Sequence, residues 1–154
     1  MTRNDKIISA YDILPVYKEL IDEGREVKLT VAGYSMEPFL KNGRDKVLLG
    51  KVSRPLKRGD IAFYVRPTGQ YVLHRIKKIC GEDCYFVGDS QIAVEGPIKS
   101  SAVFAVATAV YRKDKLLKKG DFLWEVFEHL WLMLLPMRRM IFKFVYRSGQ
   151  NEKS

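Results

Sequence analysis

Histidine and cysteine are almost missing from this chain, whose 154 residues contain two of each. Cys80 and Cys84 have no histidine nearby, which excludes a zinc site of the usual four-ligand kind. They flank "GED" in "ICGEDCYF", which reads as a hairpin with a short loop. Its thiols are either incidental or facing each other across the turn. Internal repeats and low-complexity segments are absent. So are helix-turn-helix and RNA-binding signatures, and no nucleic-acid partner is expected. The opening "MTRNDKIISAYDILPVYKEL" has no uninterrupted apolar stretch. It predicts neither a secretory signal nor a bilayer span, and hence no N-terminal export signal.

What is present suits one globular domain: 47% of residues are apolar and the net charge is +9. The charge is uneven. Basic and acidic residues number 5 and 6 over 1–30, 7 and 3 over 31–60, and 6 and 2 over 91–120. Such a chain favours anionic surfaces, and without a nucleic-acid signature the expected one is a phospholipid membrane. Lys41, Lys46, Lys51, Lys57 and Arg58 read as a solvated basic rim or a membrane contact.

The pattern of apolar residues divides the chain. Ser9 is placed to cap a helix running to about Glu23, with Ile13, Tyr17, Leu20 and Ile21 in one stripe and Gly24 as the stop. Pro15 has to be absorbed near its first turn. "EVKLTVAG" alternates as a half-buried strand, and "DKVLLGKV", "GDIAFYV", "QYVLHRIKKI", "CYFVGD" and "SSAVFAVATAVYR" continue the β pattern. The expected fold is mainly β, a small barrel or sandwich with an N-terminal helix and a C-terminal amphipathic helical tail. Its stretches are 1–24 (helix), 25–112 (core) and 113–154 (basic linker and apolar tail).

From about Asp121 the spacing becomes helical. Residues 122 to 135 extend only about 21 Å as an α-helix, too short for a hydrocarbon core of about 30 Å. Two readings stand. The first is an in-plane interfacial helix, with Trp124 and Trp131 at headgroup level and Arg138 and Arg139 meeting anionic lipid. The second is an ordinary core or dimerisation helix. The corresponding locations are a peripheral membrane position or the cytoplasm.

The stretch that points to chemistry is "VAGYSMEPFL". Gly33 and Pro38 break a strand-like run, and Ser35 is presented at the bend. A serine hydroxyl needs a base to become a nucleophile. His129 lies beside Glu128 in the tail and reads as a polar-face residue. His74 lies in "YVLHRIKK", and Asp89 closes a strand in "VGDSQ". Ser35, His74 and Asp89 thus supply nucleophile, base and orienting acid in chain order, although each is also a common structural residue.

"GYSMEPFLKNGRDKVLL", "PLKRGDIAFYV", "YVLHRI" and "VGDSQ" resemble, in order and spacing, the boxes of the type I signal peptidases, membrane-bound serine proteases related to the LexA-type self-cleaving repressors. The resemblance covers about residues 28 to 110. The "HR" pair, His74-Arg75, is similar to that of the endoplasmic-reticulum-type branch, in which histidine replaces the lysine base. The resemblance implies Ser35 as nucleophile, His74 as general base and Asp89 as orienting carboxylate, with Glu95 as a possible additional acid. It implies no metal or organic cofactor, and a peptide or preprotein substrate with small residues before the cleaved bond. Departures are plain. The family's N-terminal anchor is replaced by the helix near 10–23, Ser90 stands where asparagine is usual, and Gly33 stands where some members carry a hydroxyl. A partner protein or separate anchor would then supply membrane attachment. The expected activity is a serine endopeptidase of signal-peptidase type. The alternative is a non-catalytic peptide-binding or membrane-surface module that keeps the fold.

Overall fold

The computed structural model of the chain describes residues 10–150. Helix α1 (Ala10–Asp22) contains Pro15 and buries Leu14 and Ile21. The stop is a Schellman arrangement. Gly24, with φ +85°, donates to Ile21 O, and Arg25 N donates to Leu20 O. Ser9, the expected cap, lies outside the described residues.

Eight strands follow: β1 (Val27–Thr30), β2 (Lys46–Gly50), β3 (Ile61–Val65), β4 (Tyr71–Cys80), β5 (Asp83–Val87), β6 (Glu95–Lys99), β7 (Val103–Arg112) and β8 (Lys115–Lys118). They form one sheet in the order β1-β2-β7-β3-β4-β5-β6, with β8 on β7, and every pairing is antiparallel. Central β3 is buried on both faces. Ile61 and Phe63 join a cluster with α1, β1 and β2, while Ala62 and Tyr64 join a second with Ile76, Phe86 and Ile98. A fully buried strand reads as a continuous apolar run, as "IAFYV" does.

Two strands depart from the sequence reading. β6 carries Gly96 and Pro97, which suit only the edge position it occupies. β8 turns the expected basic linker into a hairpin partner of β7. Cys80 and Cys84 are both free. The register sets Cys84 opposite Ile79, so Cys80, one residue further on, points to the other face of the hairpin.

The tail differs most. α2 (Phe122–Glu125) runs into a π-helical segment (Val126–Trp131), then a 3-10 turn (Leu135–Met137) and α3 (Arg138–Gln150). Its Trp124, Phe127, Leu132 and Leu135 are buried, and Trp131 packs against the main cluster. Trp124 Nε1 donates to Glu128, Trp131 Nε1 donates to Asp89 O, and Arg138 is fully buried. The in-plane reading of Trp124, Trp131 and Arg138 is therefore wrong. Their indole N–H groups and guanidinium find protein acceptors, and the apolar stripe covers the sheet instead of lipid. Leu130, Met133, Met137 and Met140 form the opposite, exposed face, with Arg139 and Lys143 also exposed in this segment. No helix among the described residues is long and apolar enough to cross a membrane.

Candidate active site

Ser35 sits in a tight loop between β1 and β2, closed by hydrogen bonds from Gly33 N to Asn42 Oδ1 and from Val31 N to Asp45 O. Gly33 has φ +89°, the left-handed conformation expected at the bend. Met36, Phe39 and Leu40 anchor the loop in the core, and Ser35 is left half-buried between them and solvent. Met36 is buried beneath the bend.

A second turn, after β5, fastens this loop from the other side. Ser90 N donates to Ser35 O at 2.9 Å and Ser90 Oγ donates to Tyr34 O at 2.9 Å. Gly88 leaves no room for a side chain, since a Cβ there would lie 2.5 Å from Ser35 O. Ser90 thus pins the backbone on which Ser35 is carried.

His74, in the middle of β4, is 4% exposed and lines the same cavity as Ser35, a space of about 470 Å³. Its other walls include Leu29, Val31, Phe63 and Leu73, and Ile13 and Leu14 of α1 close part of it. Among the described residues no hydrogen bond joins Ser35 Oγ to His74, and none occupies the Ser35 N–H.

His74 Nδ1 lies 3.2 Å from Tyr64 Oη, and Tyr64 Oη donates to Glu95 Oε2 at 3.1 Å. Glu95 is held in turn by Arg66 through Nε and Nη2, both at 2.7 Å. Proton counting then assigns the imidazole tautomer. Arg66 leads the influences that lower the Glu95 pKa, so this carboxylate only accepts. Burial, followed by the Glu95 charge, raises the Tyr64 pKa, so the phenol keeps its one proton and gives it to Glu95. His74 Nδ1–H must donate to the Tyr64 oxygen, leaving the Nε2 lone pair free to act as a base. Burial is the largest influence on His74 itself and lowers its pKa to about 4, against the upward pull of Glu95.

Asp89 takes a different position from the one expected. Its carboxylate is fully buried and accepts from Arg75 Nε at 2.9 Å and Nη2 at 2.8 Å, with no hydrogen bond to His74. Arg75 also donates to Gly59 O and stacks over Phe39. His74 and Arg75 are neighbours on a strand and face opposite sides, so Asp89, bonded to Arg75, acts on the imidazole only through its charge, a lesser influence that pulls the His74 pKa upward. Asp89 is a clamp on the 88–90 turn, and the group that orients His74 is Tyr64.

Tyr64 and Arg66 are the site residues that the sequence reading passed over. The signal was present: pairing of Ala62 with His74 and Tyr64 with Val72 puts Tyr64 diagonally next to His74 on one face. Glu95 reaches the site from edge strand β6. His129 is exposed and bonded to Glu125, a polar-face residue as expected. Comparisons of the chain with protein-family models, with curated proteins and with solved structures find no match.

Proposed function

We propose that the protein is a serine endopeptidase of signal-peptidase type, acting on signal or leader peptides through Ser35 and His74. The observation that carries this is the shared cavity in which Ser35 and a histidine with a free Nε2 both lie. Ser35 Oγ attacks the peptide carbonyl while His74 Nε2 takes its proton, then returns it to the leaving amine. Nδ1–H stays on Tyr64 throughout, and Glu95 stabilises the imidazolium through the phenol without receiving a proton. The Ser35 N–H is the first oxyanion donor. An extended peptide would lie against the apolar walls of the cleft, held by backbone pairing and selected by small pockets. No metal or organic cofactor enters this scheme. We further assign the sheet, with an apolar cluster on each side of β3, to the signal-peptidase and LexA-like class. The anionic membrane remains the proposed setting, now met by the exposed Leu130, Met133, Met137 and Met140 face with Arg139 and Lys143.

The Ser35 hydroxyl, without a hydrogen-bond partner among the described residues, favours a second reading, a peptide-binding module that keeps the fold without the reaction. One experiment separates the two. An acylating β-lactam-type or lipopeptide inhibitor should label the protein covalently, and Ser35→Ala should abolish the label. Reversible peptide binding without any acylation would leave the module reading standing.

A further inference from the structure

A guanidinium shielded from water needs acceptors, and four of the five non-exposed arginines among the described residues have them. Arg44 reaches Asp45, Arg66 reaches Glu95 and Arg75 reaches Asp89. Arg138 donates three times to carbonyl oxygens, although its Nε has no acceptor. Arg112 is the exception. Among the described residues its one hydrogen bond runs from Nη2 to Pro38 O at 3.3 Å, its guanidinium lies over the Phe39 ring at 5.8 Å, and its buried Nε has no hydrogen-bond partner.

Arg112 ends β7 in a groove of about 860 Å³ between the 41–44 turn and the β7–β8 hairpin. Lys41, Arg44, Lys113 and Lys115 also line it, and Asp121 is the one acid among its lining residues. Asp121 already accepts from Lys118 N. The two basic walls are locked at fixed spacing by Asp45 beneath them, which accepts from Lys41 N, Lys113 N and the Arg44 guanidinium. Asp45 and Asp121 offset only part of the charge of the five cations, and donors held in place bind an anion with little reorganisation. At the mouth of the groove Leu116 and Phe122 are exposed, Phe122 to 83%.

We propose that this groove binds a phosphate group, with Arg112 as the anchoring donor and Lys41, Lys113 and Lys115 as the surrounding cations. The site is separate from Ser35 and His74 and stands whether or not the peptidase reading does. The phosphate can come from a free phosphate compound or from a phospholipid headgroup whose glycerol and chains meet Leu116 and Phe122.

The test titrates the full chain with inorganic phosphate and, in parallel, with dihexanoyl phosphatidylglycerol kept monomeric, following amide chemical shifts of residues 41–46 and 110–123. Both ligands are expected to shift these amides. Lys113→Glu/Lys115→Glu should weaken binding at least about tenfold, as loss of two charge-assisted contacts requires. Arg112→Gln should do the same. If that variant does not fold, the two exposed lysines decide the matter alone. Tighter binding of the lipid, with the excess lost in Phe122→Ser, identifies the headgroup as the source. Equal affinities unaffected by Phe122→Ser identify free phosphate. No shift with either ligand, or shifts that persist unchanged in the lysine variant, overturns the site.

Discussion

His74 and Arg75 are adjacent on β4, and each is linked to a carboxylate, but by opposite means. Arg75 meets Asp89 directly in a fully buried, bidentate ion pair. His74 meets Glu95 only through the phenol of Tyr64, in a neutral link whose far end is half-exposed. A direct buried pair fixes charge permanently, because removing either partner strands the other. A phenol between imidazole and carboxylate fixes the tautomer yet leaves the ring neutral until a proton arrives. One side of the strand carries a fixed ion pair, the other a neutral imidazole held at Nδ1.

The most severe way to test this division removes the tail, which bonds to Asp89 O and Gly88 O and, among the described residues, to none of Tyr64, His74 and Glu95. Deleting residues 121–154 takes away Trp124, Phe127, Leu132 and Leu135. At about 1.5–3 kcal/mol each, this loss is comparable with the whole stability of a domain. The truncated protein should lack a cooperative urea transition. A folded, labelled truncation would show that the tail is dispensable and the architectural side overstated.

Ser35→Ala and His74→Ala should each reduce turnover about a million-fold, and the double variant hardly more, because the two act as one unit. Steady-state kinetics on a leader peptide checks this, and full activity in His74→Ala would remove the dyad. Asp89→Asn should cost about 3–5 kcal/mol in urea unfolding, the usual loss on breaking a buried pair. Replacing Arg75 and Asp89 together by Met and Leu should cost less than Asp89→Asn alone. Equal stability of Asp89→Asn and wild type would dissolve the distinction between the two residues.

Tyr64→Phe should fold normally and lower kcat about 10–100-fold, in the range seen for loss of a group that orients a general base. An unchanged kcat would mean that Tyr64 does not set the tautomer. The smallest effect is in pH. With the His74 pKa lowered by burial to about 4, the acid limb of kcat/KM should fall well below the ordinary histidine value of about 6.5. The same shift has a sign in stability. The unfolded chain takes up the proton first, so the contribution is complete above pH 6.5 and is lost as pH drops toward 4. Thermal melts over that window should decline more steeply for wild type than for His74→Gln. An acid limb near neutrality would show that the imidazole is more hydrated than its burial indicates.

Much of this was legible in the sequence for physical reasons. Strands β1 to β5 and β7 announced themselves because alternation and apolar runs are local properties, and the bend at Ser35 because Gly33 and Pro38 are local constraints. Glu95 was found only through resemblance. Edge strand β6 stayed hidden because its Gly-Pro has no strand propensity. The hydrogen-bond partner of Asp89 was not legible because chain order says nothing about which face of β4 an acid will meet. Arg75 was the clue: a buried arginine requires an acid, and Asp89 was the acid at hand. The tail left two readings open, core helix and interfacial helix, because an apolar stripe has the same spacing whether a sheet or a lipid covers it, and its buried Trp124 and Phe127 match the first.

The fastening of the Ser35 turn has a consequence in time. Its backbone is held by Ser90, which lies 56 positions beyond Tyr34, and the Gly88 end of that second turn is held by Arg138, another 50 positions on. A chain emerging from the ribosome therefore passes through Ser35 and His74 long before it can hold them in place. Contacts of such sequence separation close late. On the proposed peptidase reading, the Ser35 turn is complete only when the polypeptide has been extended past Arg138, so a growing chain would be spared its own cleft.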